Sequence, residues 1–228
     1  MHYALPLWEV PSVAIVNSES RFPVHRIYCV GRNYAEHARE MGADPEREPP
    51  FFFCKPADAV VTSGSAIPYP LSTQNLHHEV ELVVALKSGG MHIKPEAALD
   101  LVFGYAVGVD LTRRDLQQAM REKGRPWDVG KAFDRAAPIS ALLPASASKD
   151  VSKSAICLKV NGEVKQSGDV SDMIWNVPDI IAHLSELFEL TAGDLIFTGT
   201  PAGAGPIKPG DRMEATVTGL PALHFTVV

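Results

Sequence analysis

Cysteine is scarce in this chain and never arranged for metal or redox work. The 228 residues include only Cys29, Cys54 and Cys157, far apart, odd in number and with no C-x-x-C pair. A disulfide framework or a zinc cluster is therefore not expected, and a reducing cytoplasm is. Each cysteine lies in an apolar run and reads as a small core residue. No apolar stretch is long enough to span a membrane. The N-terminus carries Glu9 and no basic segment before an apolar run, so no signal peptide is expected. There is no run of Lys or Arg, and the formal net charge is −6, which argues against a nucleic-acid partner. The glycine-rich run Thr198–Gly205 lacks the Lys-Ser/Thr pair of a phosphate loop and opens no GxGxxG helix. It still offers a hydroxyl and backbone N–H groups to a small carboxylate. Internal repeats and low-complexity linkers are also missing.

What is present is 46% hydrophobic residues with 18 prolines and 17 glycines, a composition of many short strands and turns around a sizeable core. Residues 1–24 read as an N-terminal appendage and 25–228 as one domain. Strands are predicted at Ile27–Val30, Phe51–Lys55, His78–Leu86, Tyr105–Val109 and Leu195–Thr198. A hairpin is predicted around Asn161-Gly162. Helices are predicted from Tyr34 to Met41 with Asn33 as N-cap, around Pro95 to Leu101, from Arg113 to about Glu122 capped by Thr112, and from Pro178 to about Glu189. The last buries Ile180, Ile181, Leu184, Leu187 and Phe188.

The most informative residues are Glu79 and Glu81. Their surroundings, Val80 and Leu82-Val83-Val84-Ala85-Leu86, are too apolar and β-branched for a surface loop. Alternation along a strand puts the two carboxylates on one face. Like charges that close repel, and burying them is costly without a neutralising cation or proton. Asp110 ends a second apolar strand. Three carboxylates at the ends of buried strands make a cage for a hard divalent cation, Mg2+ or Mn2+. The competing reading is a solvated strand face. His77 shares the predicted face. An imidazole ligand would bias the site toward softer metals, so it reads as a supporting or packing residue.

A second pair is His37 and Glu40, spaced i, i+3 on the short helix. A carboxylate beside an imidazole orients it and raises its basicity, as a general base for water requires. The competing reading is a charged helix face. The loops on either side, Gly31-Arg32 and Gly42–Pro50, suggest that the helix moves as a lid.

Together these stretches resemble the fumarylacetoacetate hydrolase family, in particular its short acylpyruvate hydrolases. The matching segments run in order: Tyr28–His37, Leu76–Glu81, Gly104-Tyr105 through Thr112, Lys131–Asp134, Ser171–Trp175 and Thr198–Pro201. Arg32-Asn33-Tyr34 with Glu46–Phe53 looks closest to fumarylpyruvate hydrolases of the gentisate route of aromatic breakdown. The resemblance implies a mixed α+β, mainly β, sandwich or roll and a homodimer. It implies that Glu79, Glu81 and Asp110 hold Mg2+ or Mn2+. It also implies that His37 and Glu40 activate water, and that Lys131 positions water or stabilises an oxyanion. Arg32, Lys55, Arg114, Gln117 and Thr200 would surround a small keto-acid substrate. Longer relatives have a further aspartate ligand where this chain has Val30, so three protein ligands are expected. The implied reaction is hydrolysis of a C–C bond in an acylpyruvate. Oxaloacetate decarboxylation and isomerisation of an enol diacid are alternatives that the same metal cage supports.

Overall fold

A computed structural model describes residues 2–40 and 49–228. The predicted C-terminal end of the first helix at Met41, the stop at Gly42, and Glu46-Arg47-Glu48 lie outside the described residues. The fold is mixed α+β and mainly strand. Its centre is an eight-stranded sheet. Along it, neighbours run Phe51–Lys55, Ile27–Gly31, Leu195–Phe197, Val80–Leu86, Val102–Val109, Ala137–Ile139 and Val60–Thr62, with Leu143–Pro144 paired to Val102–Val109. All seven residues of Val80–Leu86 are buried. A strand covered on both faces reads as a near-continuous apolar run, which is the pattern of this segment apart from Glu81. Each large side chain buried here, such as Leu82 or Phe197, contributes about 1.5–3 kcal/mol relative to exposure.

A five-stranded sheet packs against this one. It contains the predicted hairpin, Ala155–Val160 and Glu163–Asp169, whose connection has Asn161 at φ 52° and Gly162 at φ 85°. Both residues of a tight hairpin turn need positive φ to match the strand twist, which is why Asn-Gly stands there. A two-stranded ribbon, Ser12–Ala14 with Arg21–Pro23, buries Val13 and Phe22 in the common core.

The feature that positions the site is a change of sheet. Val102–Val109 runs out of the central sheet and its chain continues as Thr112–Arg113 in a separate three-stranded sheet. Leu76–His78 of that small sheet enters the central one as Val80–Leu86, and Leu195–Phe197 leads on to Gly205–Ile207 of the small sheet. The three strands are neighbours inside the central sheet, and all three crossings lie at the same end of them. Asp110 and Glu79 occupy two of them. The predicted single strand His78–Leu86 is thus interrupted at Glu79, and the Asp110 N–H donates to the Glu79 carbonyl at 2.8 Å.

Several local expectations change. Asn33 is not a helix cap: the helix spans Ala35–Glu40, and the Asn33 amide bridges the Trp175 and Thr198 carbonyls and the Trp175 N–H. Thr112 does not cap Arg114–Glu122 because its hydroxyl is bonded to Lys131. Asn176 caps the helix Val177–Leu187, accepting from Asp179 N at 3.0 Å. Leu187, the last residue of that helix, overhangs the core and is exposed, while Phe188 turns back against the Tyr28 ring. Cys54 is exposed because its strand is the edge of the central sheet.

Candidate active site

Glu79, Glu81 and Asp110 converge, each with a carboxylate oxygen within 4.8 Å of the others, and all three are buried. Glu81 reaches the cluster from inside the Val80–Leu86 strand, where it pairs with Gly108. Cations surround the three acids unevenly. Lys131 Nζ donates to Glu79 Oε2 at 2.8 Å, Asp110 Oδ2 at 2.6 Å and Thr112 Oγ1 at 2.6 Å. An ammonium has three protons, so all are engaged. Arg114 Nη2 pairs with Glu79 Oε1, and its Nη1 donates to Gln117 Oε1. Lys55 Nζ lies 2.7 Å from Asp110 Oδ1 as an ion pair off the hydrogen-bonding direction, while it donates to the Leu111 and Lys131 carbonyls.

The electrostatic result is a split among like groups. Burial alone would raise the Glu79 carboxyl, but Lys131 and Arg114 outweigh it and hold it well below the usual range. Burial, Asp110 and Glu79 together push Glu81 well above that range, against the lowering hydrogen bond from the Gly199 N–H at 2.7 Å. Burial depresses Lys131, but Asp110 and Glu79 prevail and raise it. Gly199 sits at φ 99°, and an added Cβ there would meet Asn33 Cβ at 2.7 Å, so only glycine brings this donor to Glu81.

This donor set fits a divalent ion. It consists of three hard oxygen donors at close quarters. Asp110 Oδ1 is buried and accepts no hydrogen bond. The raised Glu81 is a carboxyl whose ionised form a nearby cation would favour. Val30 also lines the pocket and brings no ligand atom.

His37 opens on the same pocket and is 7% exposed. Burial is the main reason its pKa lies below 6.5, with Glu79 opposing and Arg114 assisting. Its Nδ1 lies 3.5 Å from Glu40 Oε2, and the Glu40 carboxylate accepts from Gly203 N at 3.1 Å. His77 stands outside the acid cluster. Its Nε2 bonds Asn75 Oδ1 at 2.9 Å and its Nδ1 accepts from Arg114 Nε at 3.5 Å, so it steadies the arginine that holds Glu79.

The pocket at the acid cluster is narrow and partly open to solvent. Of the residues expected around the substrate, Arg32, Arg114, Gln117 and Thr200 line it, whereas Lys55 lies behind Asp110 and is not among its walls. Sequence reasoning missed Phe53, Arg121 and Trp127 as further walls. It also missed Gln166, a fully buried side chain from the hairpin of the five-stranded sheet. Gln166 Oε1 accepts from Val80 N and pairs with His78 Nδ1, while its Nε2 donates to Thr200 Oγ1 at 2.8 Å and the Pro201 carbonyl at 2.9 Å. Nothing in its sequence neighbourhood, an exposed-looking Val-Lys-Gln-Ser, signals that role. The helix period does signal Arg121, which follows Arg114 and Gln117 on one face.

The profile of the fumarylacetoacetate (FAA) hydrolase C-terminal family matches residues 26–228. A crystal structure of fumarylpyruvate hydrolase from Pseudomonas aeruginosa, in complex with Mn2+ and pyruvate, superposes with a TM-score of 0.97 at 53% identity, covering 100% of this chain and 99% of that one. Human mitochondrial oxaloacetate tautomerase FAHD1 is 44% identical over 201 residues, 88% of this chain and 90% of its own. Mitochondrial oxaloacetate decarboxylase from Dictyostelium discoideum is 41% identical over 205 residues, 89% and 94% of the two chains. With its fold, its order of motifs and nearly its whole length in common with these proteins, the chain belongs to the fumarylacetoacetate hydrolase family.

Proposed function

We propose that this protein is a divalent-metal-dependent hydrolase that cleaves the C–C bond of an acylpyruvate, with fumarylpyruvate the favoured substrate and fumarate and pyruvate the products. The observation that carries the reading is the placement of a buried, carboxylate-oriented histidine on the same pocket as three buried carboxylates. The likeness to the P. aeruginosa hydrolase supports the choice of substrate. The reading extends to Mg2+ as the ion used in the cell, with Mn2+ equivalent, to a catalytic unit of residues 25–228, to a homodimer and to a cytoplasmic place in aromatic breakdown. Among the described residues no helix is long and apolar enough to cross a membrane.

Glu79, Glu81 and Asp110 would hold the ion. When bound, it supplies Lewis acidity to the α-keto acid end of the substrate and to the enolate released from it. The protein's own groups do the rest. With His37 Nδ1 turned toward Glu40, Nε2 is the nitrogen that takes a proton from water as the water oxygen attacks the distal carbonyl carbon. A lowered pKa keeps His37 neutral, and so able to accept that proton, at neutral pH. The C–C bond then breaks, its electron pair leaves with the pyruvate enolate, and a proton returns to carbon. Lys131 fixes Glu79 and Asp110, and stabilises the oxyanion when one of its three bonds is exchanged. Arg114 and Gln117, with Arg32 and Thr200, receive the acid.

The test is EDTA-sensitive release of fumarate and pyruvate from fumarylpyruvate, followed by loss of the enol absorbance. His37→Ala should lower kcat by roughly 10²–10⁴-fold and leave Mn2+ affinity unchanged. Undiminished hydrolysis by that variant would remove His37 from the base role. The 44% identity to an oxaloacetate tautomerase favours a second reading, proton transfer or CO2 loss on oxaloacetate. Rapid turnover of oxaloacetate with no cleavage of acylpyruvates would establish it instead.

A further inference from the structure

We propose that Arg121 recognises a second carboxylate at the far end of the acyl group, so that the pocket selects acylpyruvates ending in a carboxylate over those ending in a methyl group. This deepens the hydrolase reading and rests on it.

The argument begins with the helix Arg114–Glu122. Positions 114, 117 and 121 lie on one face of it, and Arg114, Gln117 and Arg121 all line the pocket. Arg114 anchors the inner end through Glu79, at the acid cluster. Gln117 is buried against Arg114 in the middle. Arg121 is two turns farther out, about 10 Å along the helix axis. A ligand held by its keto-acid end at the acid cluster and extended along this face meets its next guanidinium at Arg121. That separation is of the order of an extended fumarylpyruvate chain, and oxaloacetate is too short to span it.

The other walls match the middle of such a ligand. Trp127 and Phe53 also line the pocket, and the Trp127 ring is buttressed edge-on by Phe51 at 5.2 Å between centroids. Flat aromatic walls suit a planar unsaturated chain better than a charged or branched one. Charge points the same way. The carboxylates lining the pocket are the three at its inner end, where Lys131 and Arg114 pair with Glu79 and Asp110. Arg32 and Arg121 are the guanidiniums on the pocket wall besides Arg114. A guanidinium fork matches a carboxylate in geometry as well as charge.

The experiment compares kcat/KM for fumarylpyruvate and acetylpyruvate in the wild type, Arg121→Ala and Arg121→Lys, all loaded with Mn2+. The wild type should prefer fumarylpyruvate. In Arg121→Ala that preference should fall roughly 10- to 100-fold, the size of one charge-assisted hydrogen-bonded contact, and the loss should appear in KM. Arg121→Lys should recover part of it. As a readout without turnover, calorimetric binding of fumarate should weaken in Arg121→Ala by a similar factor. An unchanged preference, or equal losses on both substrates, overturns the assignment. Equal cleavage of both substrates by the wild type overturns it while leaving the hydrolase reading intact. Cleavage of neither substrate by the wild type overturns both.

Discussion

Asp194 and Asp110 are both completely buried aspartates next to strands of the same sheet, yet their surroundings differ. Asp194 is a single carboxylate among donors. It takes the Thr191 N–H at 2.9 Å, the Arg26 fork at 3.0 and 3.1 Å, and His25 Nδ1 at 3.0 Å. Asp110 is crowded by two further carboxylates and leaves one oxygen without a hydrogen bond. The first arrangement ties Leu195–Phe197 to the start of Ile27–Gly31 and is complete in itself. The second concentrates negative charge beyond what packing needs. Burial of an acid is therefore uninformative about chemistry, whereas convergence of several buried acids that remain incompletely satisfied marks a site.

The strongest way to break this contrast is to neutralise each aspartate in turn. Asp110→Asn should lower Mn2+ affinity by at least about 100-fold, because it strips a direct ligand where outer-shell losses alone reach that range, and hydrolysis should fall with it. Asp194→Asn should leave Mn2+ affinity intact in calorimetric titration. It should instead cost about 2–3 kcal/mol in urea unfolding, as the Arg26 pairing and the Thr191 bond weaken. Loss of Mn2+ binding in Asp194→Asn would erase the distinction.

A weaker effect separates the histidine outside the cluster from the acids within it. Burial and the neighbouring Arg114 lower His77 to about 4. A group whose folded pKa is depressed below 6.5 adds stability above 6.5 and loses it as pH falls toward 4, because the unfolded chain takes the proton first. Thermal scans of His77→Gln from pH 7 to pH 4.5 should fall less steeply than those of the wild type. His37 has the same sign. Parallel pH profiles for the two proteins would show that His77 is not titrating in this way.

The smallest shift, and the most discriminating, belongs to Glu81. Its raised pKa has the opposite sign: its contribution is present below about 4.5 and is lost as pH rises through the folded value. Glu81→Gln keeps an acceptor for the Gly199 N–H and removes a crowded charge. The metal-free variant should melt about 2 °C higher than the wild type at pH 8, while binding Mn2+ far more weakly. A lower melting temperature would mean that Glu81 is a stabilising partner like Asp194.

Much of this was legible in the chain. Period-two alternation and apolar context brought Glu79, Glu81 and Asp110 into one group, with a solvated strand face as the competing reading for the two glutamates. The Asn161-Gly162 hairpin was equally plain, because two successive positive φ angles leave few other residues to choose from. The interruption at Glu79 was not visible. A strand that changes sheets keeps its β-branched residues, and only the pairing partners, His77 with Thr112 and Glu81 with Gly108, reveal the switch. The cap at Asn33 was misassigned for a related reason. An asparagine before a helix can serve the helix or reach elsewhere, and here distant carbonyls at Trp175 and Thr198 win its amide. Gln166 was out of reach altogether, because its task is fixed by a packing of two sheets that local sequence does not encode.

The counter-charges around the acid cluster carry a consequence for the order of events in the cell. Lys131, Lys55 and Arg114 already pair with two of the three carboxylates, Glu79 and Asp110, and Lys131 ties those two together. The nascent chain can thus reach its native shape before it meets an ion, unlike small domains whose folding waits for metal. Metallation then becomes an exchange at a finished cage, in which an incoming ion competes with an internal ammonium for the same oxygens. Such a cage samples whatever divalent ion the surroundings supply, and it survives losing that ion without having to fold again.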